Sequence, residues 1–140
     1  MRDTEMYQFK KTEKGSQLTN HVMIVDDSVA DIVGPYHLLY YLGYHVHTVF
    51  DGEAVLSFLK KQKFDFIVLD LNMPFIGGYQ ILKELNSTNE LKLTKIILHT
   101  GDQVKSDIYE SYPNLDIIDV WKKPLQVSQI AARLKKFSQE

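Results

Sequence analysis

The apolar run at residues 64–70, Phe-Asp-Phe-Ile-Val-Leu-Asp, constrains the fold of this chain more than any other segment. A strand with one face in water alternates between apolar and polar residues, but this run is apolar almost throughout. Such a strand is typical of a parallel sheet that helices cover on both faces. The segment therefore predicts a central strand of an α/β protein, with the Asp70 carboxylate at its carboxyl end.

Four other short apolar runs have the length of strands, and stretches with helical periodicity separate them. The predicted strands are residues 21–25, 46–50, 64–70, 95–100 and 117–121. The predicted helices run from Val29 (capped by Asp27 or Ser28) to Gly43, from 51 to near Lys63, onward from Gly77-Gly78, over 102–111, and after Pro124 to near the end. This alternation of strand and helix, five times over, predicts a parallel sheet with helices on both faces.

The composition excludes several classes of protein. The chain has 140 residues, which suits one domain, and it is 44% apolar and 24% charged, as globular proteins are. The absence of cysteine excludes a disulfide framework, a thiolate zinc site and a cysteine nucleophile. A net charge of -2 gives no footprint for nucleic acid, and no apolar run reaches the length of about 18 residues that predicts a membrane span. We expect a cytoplasmic protein with no direct nucleic-acid contact and no membrane insertion.

The first 19 residues are polar and mixed in charge. We interpret residues 1–19 as a polar N-terminal arm or a short extra helix. The predicted domain therefore spans residues 20–140.

The chemistry of such a sheet is decided at the carboxyl ends of its strands, where ligands bind. Carboxylates packed together repel one another and need a cation, and oxygen ligands without His or Cys favour Mg²⁺ or Mn²⁺. A carboxylate can act as a nucleophile toward phosphorus, while an ammonium and a hydroxyl bind phosphoryl oxygens. The residues at the predicted strand ends are Asp26 and Asp27, Asp70, Thr100 and Lys123.

Each of these residues also has a purely structural explanation. Asp26 and Asp27 could cap the first helix, and Asp70 could be a turn residue. Thr100 could be structural, and Lys123 could be solvated. Five such residues at the carboxyl ends of one sheet favour the functional explanation.

The order and spacing of these motifs resemble the receiver domains of two-component response regulators, including the single-domain chemotaxis regulators. The resemblance spans roughly residues 20–137 and implies a flavodoxin-like, doubly wound five-stranded parallel sheet of order 2-1-3-4-5 with helices on both faces. It also implies a cis peptide between Lys123 and Pro124. The matching segments are MIVDDS (23–28), LGY (42–44), DGEAV (51–55), FDFIVLDLNMP (64–74), GG (77–78), TG (100–101) and KP (123–124).

The resemblance further implies a role for each matching residue. Some would bind the metal, others the phosphoryl group, and two would tune its hydrolysis. These are the phosphoacceptor Asp70; Thr100 and Lys123, which contact the phosphoryl group; Asp26, Asp27, Asp70 and the backbone carbonyl of Asn72, which hold Mg²⁺ or Mn²⁺; and the tuning residues Asn72 and Asp102.

Three positions depart from the family pattern. An aromatic switch residue often stands three positions before the lysine, but here that position is Val120, and Trp121 should point to the other side of the strand. Gly101 replaces a common alanine but is still small. His99 stands where an apolar or small residue is more usual, and we interpret it as a packed strand histidine. How a signal is transmitted with Val120 at the switch position stays open.

We expect a signalling module of a phosphorelay, which assists its own phosphorylation and dephosphorylation. Its phosphoryl donor would be a sensor histidine kinase or a histidine phosphotransfer protein, and its output would run through a downstream protein partner. A phosphorylation-dependent homodimer is one form of that output. Candidates for the output surface are Ile108, Tyr109, Tyr112 and Trp121.

Other functions stay open at this point. One is a phosphorylation-independent binding platform, and another is a receiver fragment of a larger regulator or hybrid kinase. A phosphatase with an aspartate nucleophile usually has a second acid where this chain has Asn72. A flavodoxin-like redox protein would need a phosphate loop where Asp26 and Asp27 stand.

The remaining histidines, His21, His37, His45 and His47, show no convincing metal spacing. His45 and His47 share a strand face, but no carboxylate partner is evident. We interpret all four as structural or surface residues.

Overall fold

The computed structural model of the chain describes residues 19–73, 77–88, 91 and 94–138, with the backbone alone at 136–138. The predicted N-terminal arm or extra helix lies, but for its last residue, outside the described residues, so the domain boundary stays a prediction. The elements are β1 (His21–Val25), α1 (Val29–Tyr41), β2 (His45–Val49), α2 (Gly52–Lys61), β3 (Phe66–Leu69), α3 (Gly78–Asn86), β4 (Lys95–Thr100), β5 (Asp116–Lys122) and α4 (Val127–Ser138).

The strands form one parallel sheet in the order β2-β1-β3-β4-β5, which confirms the predicted order. Val25 at the end of β1 pairs with Leu69 at the end of β3, and Thr100 at the end of β4 pairs with Lys122 of β5. The segments that follow β1, β3 and β5 therefore leave the sheet at one edge, beside Thr100.

Alternate residues of each strand pack into two separate cores. On the side of α2 and α3, the core contains Met23 and Val25 of β1. On the side of α1 and α4, the core contains Val22 and Ile24 of the same strand. Both faces are thus covered by helices, which explains why β3 is buried at every position.

The predicted short helix over residues 102–111 is wrong. Residues 101–115, all of them described, contain turns but no helix, and the chain alternates strand with helix four times rather than five. The segment buries only Ile108 and Leu115 and half-buries Val104 and Tyr112, so little apolar burial is available to offset the cost of starting a short helix. A turn closed by the Ile108 N–H and the Lys105 carbonyl, 3.1 Å apart, stands where the helix was expected.

A bulge in β5 decides which side chains face each core. Ile96 pairs with Ile117 but Ile97 pairs with Asp119, so Ile118 is an extra residue in β5. The strand changes phase after the bulge, and Trp121 enters the core on the α1 and α4 side.

Gly78 allows α3 to begin against the end of β3. Its N–H donates to the Leu71 carbonyl at 3.1 Å. A Cβ at this position would lie 2.3 Å from Leu71 Cα and 2.6 Å from the Asp70 carbonyl oxygen, and both contacts are with backbone. Because Gly78 has no side chain, α3 can begin this close to the loop that carries Asp70.

We expect Gly78→Ala to lower the free energy of unfolding by roughly 1–3 kcal/mol, because the backbone beside Asp70 must shift. Gly34→Ala is the matched control. Gly34 lies inside α1, and its added Cβ would make an ordinary 3.6 Å contact with Val127 Cγ2. That variant should gain about 0.5–1 kcal/mol. Urea unfolding of both variants measures the difference, and equal effects would contradict the close-approach argument.

Candidate functional site

Three carboxylates meet at the carboxyl edge of the sheet, as the sequence predicted. Asp26 and Asp27 follow β1, Asp70 follows β3, and one oxygen from each lies within 4.8 Å of the others. Asp26 and Asp70 are buried, whereas Asp27 is exposed. The cluster therefore has two buried members and one that opens to solvent.

Backbone groups fix the two buried carboxylates. The Asp26 N–H donates to the carbonyl of Val49, and the Asp70 N–H donates to the carbonyl of Val25, at 3.0 and 2.9 Å. Asp26 Oδ1 accepts the Ser28 N–H at 2.9 Å. In the same way, Asp70 Oδ1 accepts the N–H two residues along the chain at 3.0 Å. In each of these two carboxylates Oδ1 accepts a hydrogen bond from a backbone N–H, which leaves Oδ2 to contact a cation.

Lys123 supplies the positive charge. Its Nζ lies 2.8 Å from Asp26 Oδ2, 3.0 Å from Asp31 Oδ2 and 3.3 Å from Asp70 Oδ2. The Lys123–Pro124 peptide is cis, as predicted. The ammonium thus bridges the ends of β1 and β3 and the first turn of α1.

The electrostatics keep this lysine charged. Burial alone would lower the pKa of Lys123, but hydrogen bonds to Asp26 and Asp31 and the charges of Asp26 and Asp70 raise it well above its ordinary value. Burial raises the pKa of Asp26, and hydrogen bonds from Lys123 and Ser28 act in the opposite direction. One ammonium faces four carboxylates, Asp27 included, so the site attracts a further cation.

Asp31 is a site residue that the sequence reasoning missed. The hydrogen bond to Lys123 lowers the pKa of Asp31, which holds this carboxylate in its charged form. Its position gave a usable signal, because a helix that starts after Asp27 brings its first turn to the same edge of the sheet. The contact with Lys123 spans 92 positions along the chain, so spacing alone could not reveal it.

Thr100 and the two predicted tuning residues lie together beside Asp70. Thr100 is fully buried at the end of β4, and its Oγ1 accepts the Asp102 N–H at 3.2 Å. Asn72 Nδ2 donates to Asp102 Oδ2 at 2.6 Å. The structure therefore joins the segment after β3 to the segment after β4 through side chains of Asn72 and Asp102.

Val120 and Trp121 point to opposite sides of β5, as predicted. Val120 is half-buried against the core on the α2 and α3 side, whereas Trp121 is fully buried on the α1 and α4 side. Trp121 Nε1 donates to Asp119 Oδ2 at 3.0 Å, and Arg133 of α4 contacts the same carboxylate at 2.9 Å. The indole is thus fixed by a hydrogen bond as well as by packing.

The predicted output surface is only partly exposed. Ile108 and Trp121 are buried, Tyr112 is half-buried, and Tyr109 is exposed. Among these four candidates, Tyr109 is the one that presents a large side chain to solvent.

His99 is a packed strand histidine, which confirms its interpretation. It is 3% exposed, and its ring meets Trp121 edge-on with centroids 6.2 Å apart. Its Nε2 has no hydrogen-bond partner. Burial and the nearby Lys123 charge lower the pKa of His99 to about 4, against the opposing charges of Asp31 and Asp70. His99 is therefore neutral at neutral pH.

Residues 22–135 match the family model described as the response regulator receiver domain. The response regulator SaeR of Staphylococcus aureus is 33% identical over 126 residues, with 84% of this chain and 53% of SaeR covered. The aerobic respiration control sensor protein ArcB of Escherichia coli is 29% identical over 118 residues, with 84% of this chain and 15% of ArcB covered. The chain thus spans about half or less of these curated relatives.

The chemotaxis response regulator CheY4 of Vibrio cholerae has a similar structure, with a TM-score of 0.72 and 27% identity over 84% of this chain and 97% of that one.

None of the helices within the described ranges has the length and apolar character needed to cross a membrane.

We expect acidification to destabilise the fold through His99. The unfolded state takes up a proton near pH 6.5, whereas the native state takes it up only near pH 4. Stability is therefore lost as the pH falls through this window, by roughly 3 kcal/mol from this group, and no further below it. Chemical unfolding across the window measures this loss. His99→Phe should show a shallower pH dependence, and identical slopes in the two proteins would refute the assignment.

Proposed function

Because the chain belongs to the response regulator receiver domain family, whose members serve phosphorelay signalling, we propose that its Asp70 is the phosphoacceptor. The donor would be a phosphohistidine of a sensor histidine kinase or of a histidine phosphotransfer protein. The observation that carries the proposal is the position of Asp70, whose carboxylate lies beside those of Asp26 and Asp27 and 3.3 Å from the Lys123 ammonium.

The donor set at this edge fits a hard divalent cation. Asp26, Asp27 and Asp70 offer oxygen ligands only, and Mg²⁺ or Mn²⁺ prefers such ligands. These three residues, with the backbone carbonyl of Asn72, would hold the ion. When bound, the ion neutralises charge on the phosphoryl oxygens.

The reaction on this chain is a nucleophilic displacement at phosphorus. A carboxylate oxygen of Asp70 forms a bond to phosphorus while the bond from phosphorus to the donor nitrogen breaks, and the electron pair leaves with the imidazole. Lys123, which contacts Asp70 at 3.3 Å, then binds a phosphoryl oxygen, and the Thr100 hydroxyl donates to another. The product is an acyl phosphate on Asp70.

Asn72 and Asp102 would control how long that acyl phosphate lasts. Their hydrogen bond connects the segments after β3 and β4, two residues beyond Asp70 and Thr100. Hydrolysis needs a water molecule in line with the bond to phosphorus, and side chains at these positions govern its approach. The chain would thus assist both its phosphorylation and its dephosphorylation.

The output would run through contacts with a downstream protein or with a second phosphorylated copy. Tyr109, on the connection between β4 and β5, offers an exposed aromatic surface for such a contact, 48% of it exposed. The alternative hypothesis is phosphorylation-independent binding, and phosphoryl labelling of Asp70 distinguishes the two.

We expect incubation with acetyl phosphate and Mg²⁺ to add one phosphoryl group, seen by intact mass. Asp70→Asn should reduce labelling to background, because the amide cannot form the acyl phosphate, and chelation of Mg²⁺ should do the same. Asp107→Asn, at an exposed position of the β4–β5 connection, is the control with the same loss of charge. An unlabelled wild type would favour the binding platform, and rapid multiple turnover of phosphate esters would favour a phosphatase.

We expect Asp31→Asn to increase the rate of labelling at saturating Mg²⁺ by roughly three- to tenfold. Asp31 holds Lys123 at 3.0 Å, so it competes with the phosphoryl group for the ammonium and adds negative charge that repels the donor. Asp107→Asn should leave the rate unchanged. A rate in Asp31→Asn at or below that of the wild type would show that Asp31 supports Lys123 rather than competes for it.

A further inference from the structure

Three histidines meet at the edge of the sheet opposite Asp70. His21 begins β1, and its register partner on β2 is His45, while His47 lies two residues further along β2. Residues two apart on a strand share a face, so these three side chains lie on one side of the sheet. The sequence showed only the pair on one strand, and the register adds the third.

The ring of His21 contacts both of the other rings. His21 Nδ1 and His47 Nε2 lie 2.9 Å apart. The ring of His21 stacks on those of His45 and His47, with centroid distances of 4.7 and 5.1 Å. His47 also packs edge-on against Phe64, at 5.3 Å, and near Phe58 of α2, at 6.1 Å. The aromatic neighbours hold His47 in a fixed orientation, whereas His45 is exposed.

The surroundings of His21 favour its neutral form, which is the form that binds metals. Burial and the charges of His45 and His47 lower the pKa of His21, and the charge of Asp65 opposes this. The Asp65 carboxylate already accepts the N–H groups of Thr19 and Asn20, so it is engaged by backbone. At neutral pH His21 therefore offers a lone pair rather than a positive charge.

We propose that His21 and His47, with His45, form a binding site for a borderline divalent cation such as Zn²⁺ or Cu²⁺. Imidazole nitrogen suits these ions, whereas the carboxylate cluster at the opposite edge suits Mg²⁺. A tetrahedral ion with bonds of about 2.0–2.1 Å places two nitrogens roughly 3.3 Å apart, close to the present spacing of His21 Nδ1 and His47 Nε2. The ion would lie off the line between these nitrogens, so the two rings turn until both lone pairs point at it, and they then supply two ligands.

His45 supplies the third ligand after a rotation of its side chain. Among the described residues, the aspartate cluster is the group of three whose ligand atoms already lie within 4.8 Å of one another. His45 is exposed and can turn toward the pair without disturbing the core. Solvent would complete the coordination of the ion.

The proton balance of the site is simple. In the absence of metal, one ring donates its N–H across the 2.9 Å contact between His21 and His47. Metal binding needs both facing nitrogens deprotonated, so that proton moves to the other nitrogen of the same ring. No net proton is released while both rings are neutral, and no electron is transferred.

The first experiment titrates the full chain with Zn²⁺ by calorimetry in excess Mg²⁺, which is present to compete with Zn²⁺ for the aspartate cluster. We expect one site in the wild type and at least about a tenfold loss of affinity in His47→Gln and in His21→Gln, with a smaller loss in His45→Gln. His37→Gln is the matched control, because His37 is an exposed histidine on α1. Equal affinity in the wild type and His47→Gln, or no binding to the wild type, would overturn the proposal.

A second measurement uses the wild-type protein, so its result does not depend on whether a variant folds. Electron paramagnetic resonance of Cu²⁺ bound to the wild type should show hyperfine coupling to nitrogen, because the ligands are imidazoles. A spectrum with oxygen ligands alone would place the ion at the aspartate cluster and refute the proposal. Circular dichroism and thermal unfolding of each variant without metal separate a lost ligand from a lost fold.

Discussion

The ion pairs of Lys123 are the interaction on which the rest of the site depends. Asp26 and Asp70 are almost completely buried, and each buried carboxylate costs several kcal/mol unless a charge and hydrogen bonds compensate it. Lys123 provides that charge to both, and its own N–H donates to the Thr100 carbonyl at 2.8 Å. The backbone of Lys123, and with it the position from which the ammonium reaches the carboxylates, is therefore held by the end of β4. The sheet order is what makes this possible, since β3 lies between β1 and β4, and β5 delivers Lys123 to the edge where the carboxylates meet.

The bulge at Ile118 decides which side of β5 its aromatic residue faces. It turns Trp121 away from the side that Val120 faces, where family members often have an aromatic switch. If Ile118 took a normal place in the ladder, simple alternation from Ile117 would place Val120 on the α1 and α4 side and turn Trp121 toward α2 and α3. With the bulge, the indole is buried beside His99 and bonded to Asp119, which Arg133 of α4 also contacts. An aromatic ring enclosed in this way cannot swing between a buried and an exposed position at low cost, because it would lose its packing and leave a buried polar group unpaired.

The strands and the aspartate cluster could be predicted from the sequence because local pattern determines both. A strand buried on both faces carries an apolar run, and the carboxyl ends of parallel strands must share an edge. The helix over 102–111 was wrong because tertiary burial decides whether so short a helix forms, and most side chains of this segment are exposed. Asp31 was missed for the opposite reason, since its partner is distant in sequence. The histidine cluster could not be predicted either. His21 and His45 are distant in sequence, and the strand register that pairs them is fixed by the whole sheet rather than by these two residues.

The connection between β4 and β5 begins next to the site and is exposed along most of its length. It starts at Thr100, whose Oγ1 accepts the Asp102 N–H, so any new bond to this hydroxyl acts directly on the first residues of the connection. Ile108 and Leu115 are its buried side chains, Val104 and Tyr112 are half-buried, and the others are exposed. Segments with few apolar contacts rearrange at low free-energy cost. A rearrangement there needs no motion of Trp121, and it reaches Tyr109 at the surface without crossing either core.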